Sequence, residues 1–592
     1  MRTWRLISIF AILALVLAAC GDQGTSESAE PSEEPPASGE SAAPEPSEGG
    51  GDGEPVAGGT LVFAGARLAS SLDPFLTSDG ESFRVLQQVY EPLVDLAPGT
   101  TDELEGILAE SWTGGPEDTE YVFTLREGVT FHDGTPFNAE AVKINFDRWQ
   151  NAPEELQASA YYYGAIMDGF GAENLISSVE ATDEYTVTIT LREPNPAFLY
   201  GITLTPFSIV SPAILESTNA DDPAAGTFGT DVVQGGTGPF ILQDYIPDDS
   251  ATLVRNEEYW DEPAYLDRVI VRPIADPAAR LQALQGGSIQ GFDLVNPADY
   301  ETVESDGFSL VERLSFNALY LGINPVARQN AADAESGVAA EYGDDLDSPL
   351  ADAAVREAVG MAIDKEALIE TFYGGRGSPA DMFIPPSSGW YDAVLAGVEA
   401  DTYDPEGAQQ LLTDAGFGPD NPPTVHFWYP TEVTRPYMPD PRGLHEAVTQ
   451  MLEDAGFVVV PHSDIWDDPG YLFDAQNGFY DLHFLGWTGD YDDPSNWYGV
   501  HFGYAQGEPA AQFGCDVEGL EDALATGDAA LDETERGAAW AEVAGLIHGA
   551  DCFITLAHGD TALAFDDVIQ GYEPNPTGSE SFKTVWLTGG GE

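Results

Sequence analysis

The sequence predicts an α/β body of two or more lobes, and three observations carry that reading. The chain has 592 residues, more than one hydrophobic core ordinarily serves. Strand-like and helix-like periodicities alternate along it without an internal repeat. Hydrophobic residues make up 43% of the chain and aromatic ones 11%, which fills globular interiors and excludes disorder throughout.

The first element is an export signal. Residues 1–20 read MRTWRLISIFAILALVLAAC, with Arg2 and Arg5 ahead of a fourteen-residue apolar run that starts at Leu6. That length suits a signal peptide and falls short of the roughly 20 residues that span a bilayer. The run closes on Leu17-Ala18-Ala19-Cys20, which resembles a bacterial lipobox. The resemblance implies that residues 1–19 are removed and that Cys20 carries a lipid; an ordinary secretory signal is the alternative. Residues 20–58 continue as an acidic Ser/Glu/Pro/Gly tract with almost no apolar side chains, expected to be a disordered tether. No later stretch is long enough to cross a membrane, so the body is expected to be soluble and extracytoplasmic, held to a membrane through Cys20.

Within the body, 185–191 reads YTVTITL, a period-two strand with an apolar face and a threonine face. A second strand region is expected at 121–131 around Phe123, Leu125 and Val129. Helices are announced by their caps: Asn138 before AEAVKINFDRW, Asp364 before KEALIETF, and Asp404-Pro405 before EGAQQLLTDAG with Gly416 as the stop. The Ala-, Asp- and Glu-rich stretch 328–349 lacks periodicity and is expected to be a surface insertion loop. Beyond Cys20 the chain holds two cysteines, Cys515 and Cys552, outside the ends of helical stretches at about 517–531 and 534–550. An antiparallel helix pair brings those ends together, so a disulfide is geometrically plausible; two buried thiols are the alternative.

Charge excludes several function classes. Against 102 acidic residues stand 21 basic ones, a formal net charge of −81, and the lysines are Lys143, Lys365 and Lys583 alone. The tract 21–58 holds ten of the acids, so the body carries most of the excess. Such a surface repels nucleic acid and anionic lipid, which need clustered Lys and Arg. It fits either a solvated exported protein or one adapted to high salt, where screening removes self-repulsion. Enzyme signatures are missing: there is no G-x-S-x-G elbow, no H-E-x-x-H, no phosphate or dinucleotide loop, and the eight histidines are scattered. The sequence therefore gives no support for catalysis and implies no cofactor or metal.

Several blocks occur in one order along the chain: DTEYVFTLREGVTFHDGTPFNAEAVKINFDRW (118–149), GTGPFILQDY (236–245), NEEYWDEPAYLDRV (256–269), NALYLGIN (317–324), VREAVGMAIDKEALIETFYGGRGSPADMFIPP (355–386) and LGWTGDYDDPSNW (485–497). Together they resemble the extracellular solute-binding proteins of family five, which bind dipeptides, oligopeptides and nickel complexes. The resemblance implies a two-lobed periplasmic-binding-protein-like fold of type II, the large peptide-binding class, with two interlobe crossovers. It places lobe one at 59–320 plus 558–592, with an extra subdomain at about 91–195, and lobe two at 321–557. It implies a monomeric receptor, rather than an enzyme, that serves an ABC permease with cytoplasmic ATPases.

At the ligand positions the likeness is closest to the family's dipeptide-binding members. It implies that Asp490, after Gly486-Trp487-Thr488-Gly489, holds the α-ammonium of a short peptide. It also implies that Arg435, within Arg435-Pro436-Tyr437, grips the free carboxylate. The chemistry suits these residue types, since a desolvated carboxylate pairs with ammonium and a guanidinium fork fits a carboxylate. Nearby aromatics Trp390, Trp428, Tyr429, Tyr437, Trp487, Tyr491 and Trp497 are candidate cleft walls or core, and Ser78, Asp79 and Gly80 are looser candidates from lobe one. The same fold also carries other solutes, so oligosaccharides, longer peptides and metal chelates remain alternatives, with a secreted hydrolase behind them.

Overall fold

The structure is a computed structural model that describes residues 54–466, 470–503 and 510–588. Cys20, the signal peptide expected at 1–19 and the expected tether up to residue 53 lie outside the described residues.

Two mixed sheets organise the body. The first has seven strands in the order Ser309–Arg313, Thr561–Phe565, Gly291–Phe292, Thr60–Gly65, Arg268–Pro273, Ser250–Arg255 and Phe240–Ile246. The second has six: Gly377–Pro379, Phe553–Gly559, Asn317–Ile323, Leu482–Thr488, Thr424–Thr431 and Val458–Ile465. The chain passes between the sheets twice, after Arg313 and after Gly559. Asn317 ties the two passages together: its side chain donates to the Gly559 carbonyl at 2.8 Å and accepts from the Gly559 amide at 3.2 Å. This is an α/β, two-lobed architecture.

Sequence pattern explains which strands sit deepest. All seven residues of Asn317–Ile323 are buried, as expected of a central strand covered on both faces. In Thr186–Leu191 only Val187, Ile189 and Leu191 are buried, and the threonines face outward. That strand belongs to a separate four-stranded antiparallel sheet with Glu120–Leu125, Ala109–Thr113 and Ile176–Asp183. Its core, built around Phe123, Phe146, Trp149 and Phe207, is distinct from those of the two large sheets. Asn138, Asp364 and Asp404 cap the helices Ala139–Gln150, Lys365–Phe372 and Pro405–Asp414 through their side chains.

Two local expectations need correction. The strand expected over 121–131 ends at Leu125, because Gly128 turns the chain with a φ of +81°. The stretch 328–349 is not simply a loop: it contains the helices Ala327–Asp333 and Ala339–Tyr342. Two side chains anchor it. Arg328 is buried and pairs with the buried Asp481 at 2.9 Å, and the Tyr342 hydroxyl donates to the Phe479 carbonyl at 2.7 Å. Acidic composition hid those anchors. The helices Leu520–Ala529 and Glu533–His548 pack side by side, and a disulfide joins Cys515 to Cys552 with their Cα atoms 6.4 Å apart.

Candidate ligand-binding site

The strand Leu482–Thr488 delivers the site. It pairs along its length with Asn317–Ile323, but its other edge meets Thr424–Thr431 only at Leu482 and His483. From Gly486 to Thr488 that second edge has no strand partner among the described residues. Glycine is required at two points here. A Cβ on Gly486 would strike the Tyr437 ring and the Ala318 carbonyl, and one on Gly489 would strike the rings of Phe316 and Trp497. Trp487 packs against the cores of both the six-stranded and the four-stranded sheets, and Thr488 pairs with Asn317 at the strand end.

Beyond Gly489 the chain reaches across to the other lobe. The Asp492 amide donates to the Thr101 carbonyl at 2.9 Å, and Tyr491 stacks on Tyr200 at 6.0 Å within the four-stranded sheet's core. Asp490 lies between these contacts. The Tyr162 hydroxyl donates to its Oδ1 at 3.0 Å, and Asn496 Nδ2 donates to its Oδ2 at 3.0 Å. Asn496 also accepts from the Asp490 amide at 2.9 Å and from the Trp487 indole at 3.3 Å. Burial pushes the Asp490 carboxyl up to about 6, with the Asn496 and Tyr162 donors opposing it. A carboxylate held so far above its ordinary range is stabilised by any cation placed beside it.

Asp490 lines a cleft of about 420 Å³ whose other walls come from the first lobe, a size suited to a small solute. Gly80, Phe83, Tyr90, Tyr259 and the 573–584 segment contribute. A second void, of about 20 Å³ against the disulfide, is apolar and too small for a solute.

Arg435 does not line this cleft. Its guanidinium lies over the Trp466 ring at 4.3 Å, and its buried Nε has no hydrogen-bond partner. Among the described residues no carboxylate pairs with it. Tyr437 is buried over Gly486, with its backbone carbonyl accepting from the Tyr373 hydroxyl at 2.6 Å.

The sequence profile of the bacterial extracellular solute-binding proteins, family 5 (middle region), matches residues 103–508. The chain belongs to that family. It is 28% identical over 539 residues to the dipeptide-binding protein of Escherichia coli, covering 89% of this chain and 94% of that one. It is also 28% identical to heme-binding protein A of Haemophilus influenzae, covering 90% and 92%. A periplasmic binding protein of Helicobacter pylori, solved with the peptide STSA, superposes with a TM-score of 0.73 at 25% identity, covering 90% and 98%. Membership of this family places the body outside the cytoplasm.

Against the family blocks, the aromatic candidates divide clearly. Trp497 is fully buried core, Trp428 stacks with His462 and Tyr480, and Tyr491 is buried under the other lobe. Trp390 donates to the Asp492 carbonyl, and Tyr429 packs on His445. None of these lines the cleft; Phe83, Tyr90 and Tyr259 do. Of the lobe-one candidates Gly80 lines it, while Asp79 caps the Ser82 amide at 3.1 Å. Tyr162, 328 residues from its partner, gave no signal in sequence. Asn496, inside a recognised block, gave one that was not read.

Proposed function

We propose that this solute-binding protein captures short peptides with free termini for an ABC importer. The observation that carries the reading is Arg435, a half-buried guanidinium that pairs with no carboxylate among the described residues of a chain where acids outnumber bases 102 to 21. A cation left unpaired in such surroundings is poised for a carboxylate supplied from outside. Asp490 supplies the opposite end, taking the α-ammonium, with Tyr162 and Asn496 holding its oxygens. Between them the open edge at Gly486, Trp487 and Thr488 receives the peptide backbone as an added strand. Gly489 sets the turn into Asp490, and Tyr437 packs beneath the strand.

The lobes 59–320 plus 558–592 and 321–557 act as jaws, with the subdomain at about 91–195 carrying Tyr162 to the ligand. The peptide-binding names of its relatives support the substrate class, and their transporter association supports an ABC permease with cytoplasmic ATPases as partner. The signal sequence and lipobox support a monomeric lipoprotein tethered through Cys20. The acidity supports service in high salt.

The test is a thermal-shift panel in high salt on wild type, Asp490→Ala and Arg435→Ala. Free dipeptides at 100 times the dissociation constant should stabilise wild type by about 2.7 kcal/mol. N-acetylated and C-amidated dipeptides should not. If pentapeptides or cello-oligosaccharides shift all three proteins alike, the site and the substrate class are both wrong.

A further inference from the structure

The cleft wall opposite Asp490 has a composition that a neutral ligand does not explain. Seven carboxylates line the cleft, and among the described residues Lys583 is the one cation that does. Lys583 is already engaged, its ammonium 2.5 Å from Asp261 and over the Tyr259 ring. Three of the carboxylates stand together. Asp95 and Glu105 face each other directly across the antiparallel pair Val94–Leu96 and Leu104–Gly106, where like charges destabilise the pairing. Glu91 lies four residues before Asp95 and is buried. Tyr259, Trp260 and Thr237 donate to it at 2.6, 2.9 and 2.7 Å, fixing its position.

The cations that face this wall do not close on it. Arg126 is committed to the Gly106 and Ile107 carbonyls and to the Trp260 ring. Neither Arg126 nor Lys583 forms an ion pair with Asp95 or Glu105 among the described residues. Beside the wall sits a second sign of a missing polar partner. Ser208, next to the Ile209 amide that donates to the Glu91 carbonyl, lines the cleft at 1% exposure, and its hydroxyl has no hydrogen-bond partner. A buried hydroxyl without a partner is destabilising, so a ligand donor that reached it would recover that loss. Burial, opposed by the Leu96 amide and reinforced by Glu105 and Glu91, pushes the Asp95 carboxyl up to about 7, as expected where no protein cation compensates.

We propose that Glu91, Asp95, Glu105 and Ser208 form a side-chain subsite that selects a second cation, the ammonium or guanidinium of a basic residue in the bound peptide. This rests on the peptide reading above and names the class of peptide. The Ser208 hydroxyl accepts from the ligand's N–H group, and Asp95 and Glu105 share its charge. Binding such a side chain converts Asp95 fully to carboxylate and releases a proton near neutral pH.

Isothermal titration at fixed ionic strength tests this with Ala-Ala, Ala-Lys, Lys-Ala, Ala-Glu and the free diamine cadaverine. A lysyl dipeptide should bind wild type at least tenfold more tightly than Ala-Ala, with Ala-Glu weakest. Asp95→Asn and Glu105→Gln should each reduce that lysine preference to under threefold. At pH 7, titrations in two buffers of different ionisation enthalpy should detect clearly more proton release with the lysyl peptide than with Ala-Ala, whose ammonium meets Asp490 alone. Equal affinities for the basic, neutral and acidic dipeptides in wild type would overturn the subsite while leaving the peptide reading intact. Cadaverine binding as tightly as the lysyl dipeptide would assign the wall to a free polycation and overturn it too. A wild type that binds no dipeptide overturns both readings.

Discussion

Two groups of carboxylates in the first lobe meet opposite fates. At the edge of the cleft, where Glu580 lines it, Arg84 reaches Glu81, Asp293 and Glu580, and Arg313 reaches Asp293 and Glu580. At the cleft wall, Asp95 and Glu105 face each other with no ion pair among the described residues. In a chain short of bases the difference is informative. Arg84, Arg148, Arg313, Arg328 and Arg536 bind carboxylates that hold the fold together, whereas Asp95 and Glu105 in the cleft wall form no ion pair among the described residues. Arg435 is the complementary case, a cation that pairs with no carboxylate among the described residues. On the proposed reading, structural charges are matched within the protein, and the charges that would meet the ligand are matched by it.

The buried cluster is not perfectly balanced, since three carboxylates contact two guanidiniums. Burial would raise Asp293, but Arg313 and Arg84 outweigh it and hold that carboxyl below its ordinary range. Burial pushes Glu580 up to about 7 against the opposing pull of Arg84.

The largest effect that would break the comparison is Arg84→Met. Removing one partner from a buried charged network leaves its acids uncompensated, a cost of about 3–5 kcal/mol. Urea unfolding should register that loss, and a change below about 1 kcal/mol would mean the network is not structural.

A second contrast lies in the sign of the pH dependence. Asp95 is raised in the folded state, so its contribution favours folding below about pH 4 and is lost as pH rises to about 7. The difference in stability between wild type and Asp95→Asn should change by about 1.4 kcal/mol per pH unit in that window. Asp293, held low, has the opposite sign: its contribution is present above pH 4 and lost on further acidification. A flat difference for Asp95→Asn across pH 4–7 would remove the contrast. Smaller still, Glu105→Gln should stabilise the unliganded protein by about 0.2–1 kcal/mol by relieving a cross-strand like-charge pair. Raising salt from about 0.1 to 1 M should shrink this gain, because an exposed charge is screened. The Arg84→Met loss should be far less sensitive to salt.

Much of the fold was legible in the sequence because it is written locally. The alternation in TVTITL and the caps at Asn138, Asp364 and Asp404 each act within one turn or one strand. Asp490 and Arg435 were singled out through family motifs, not through any local rule; Asp490 lines the cleft and Arg435 does not. What stayed hidden is long-range. Tyr162 meets Asp490 from 328 residues away, and Asp95 meets Glu105 only through strand register. In a chain with 102 acidic residues, no single carboxylate stands out by composition. The 328–349 stretch was misread for the same reason: Arg328 and Tyr342 are two anchors in a polar run, and their partners Asp481 and Phe479 lie far along the chain.

The most direct test of this division of charges is a double-mutant cycle between Arg435 and the ligand's own carboxylate. Calorimetry would give the affinities of a free dipeptide and its C-amide for wild type and Arg435→Ala. A coupling energy of about 2 kcal/mol or more is expected, with the free dipeptide's advantage over its amide largely gone in the variant. Additive effects, with that advantage intact in Arg435→Ala, would contradict the account and place the ligand's carboxylate elsewhere.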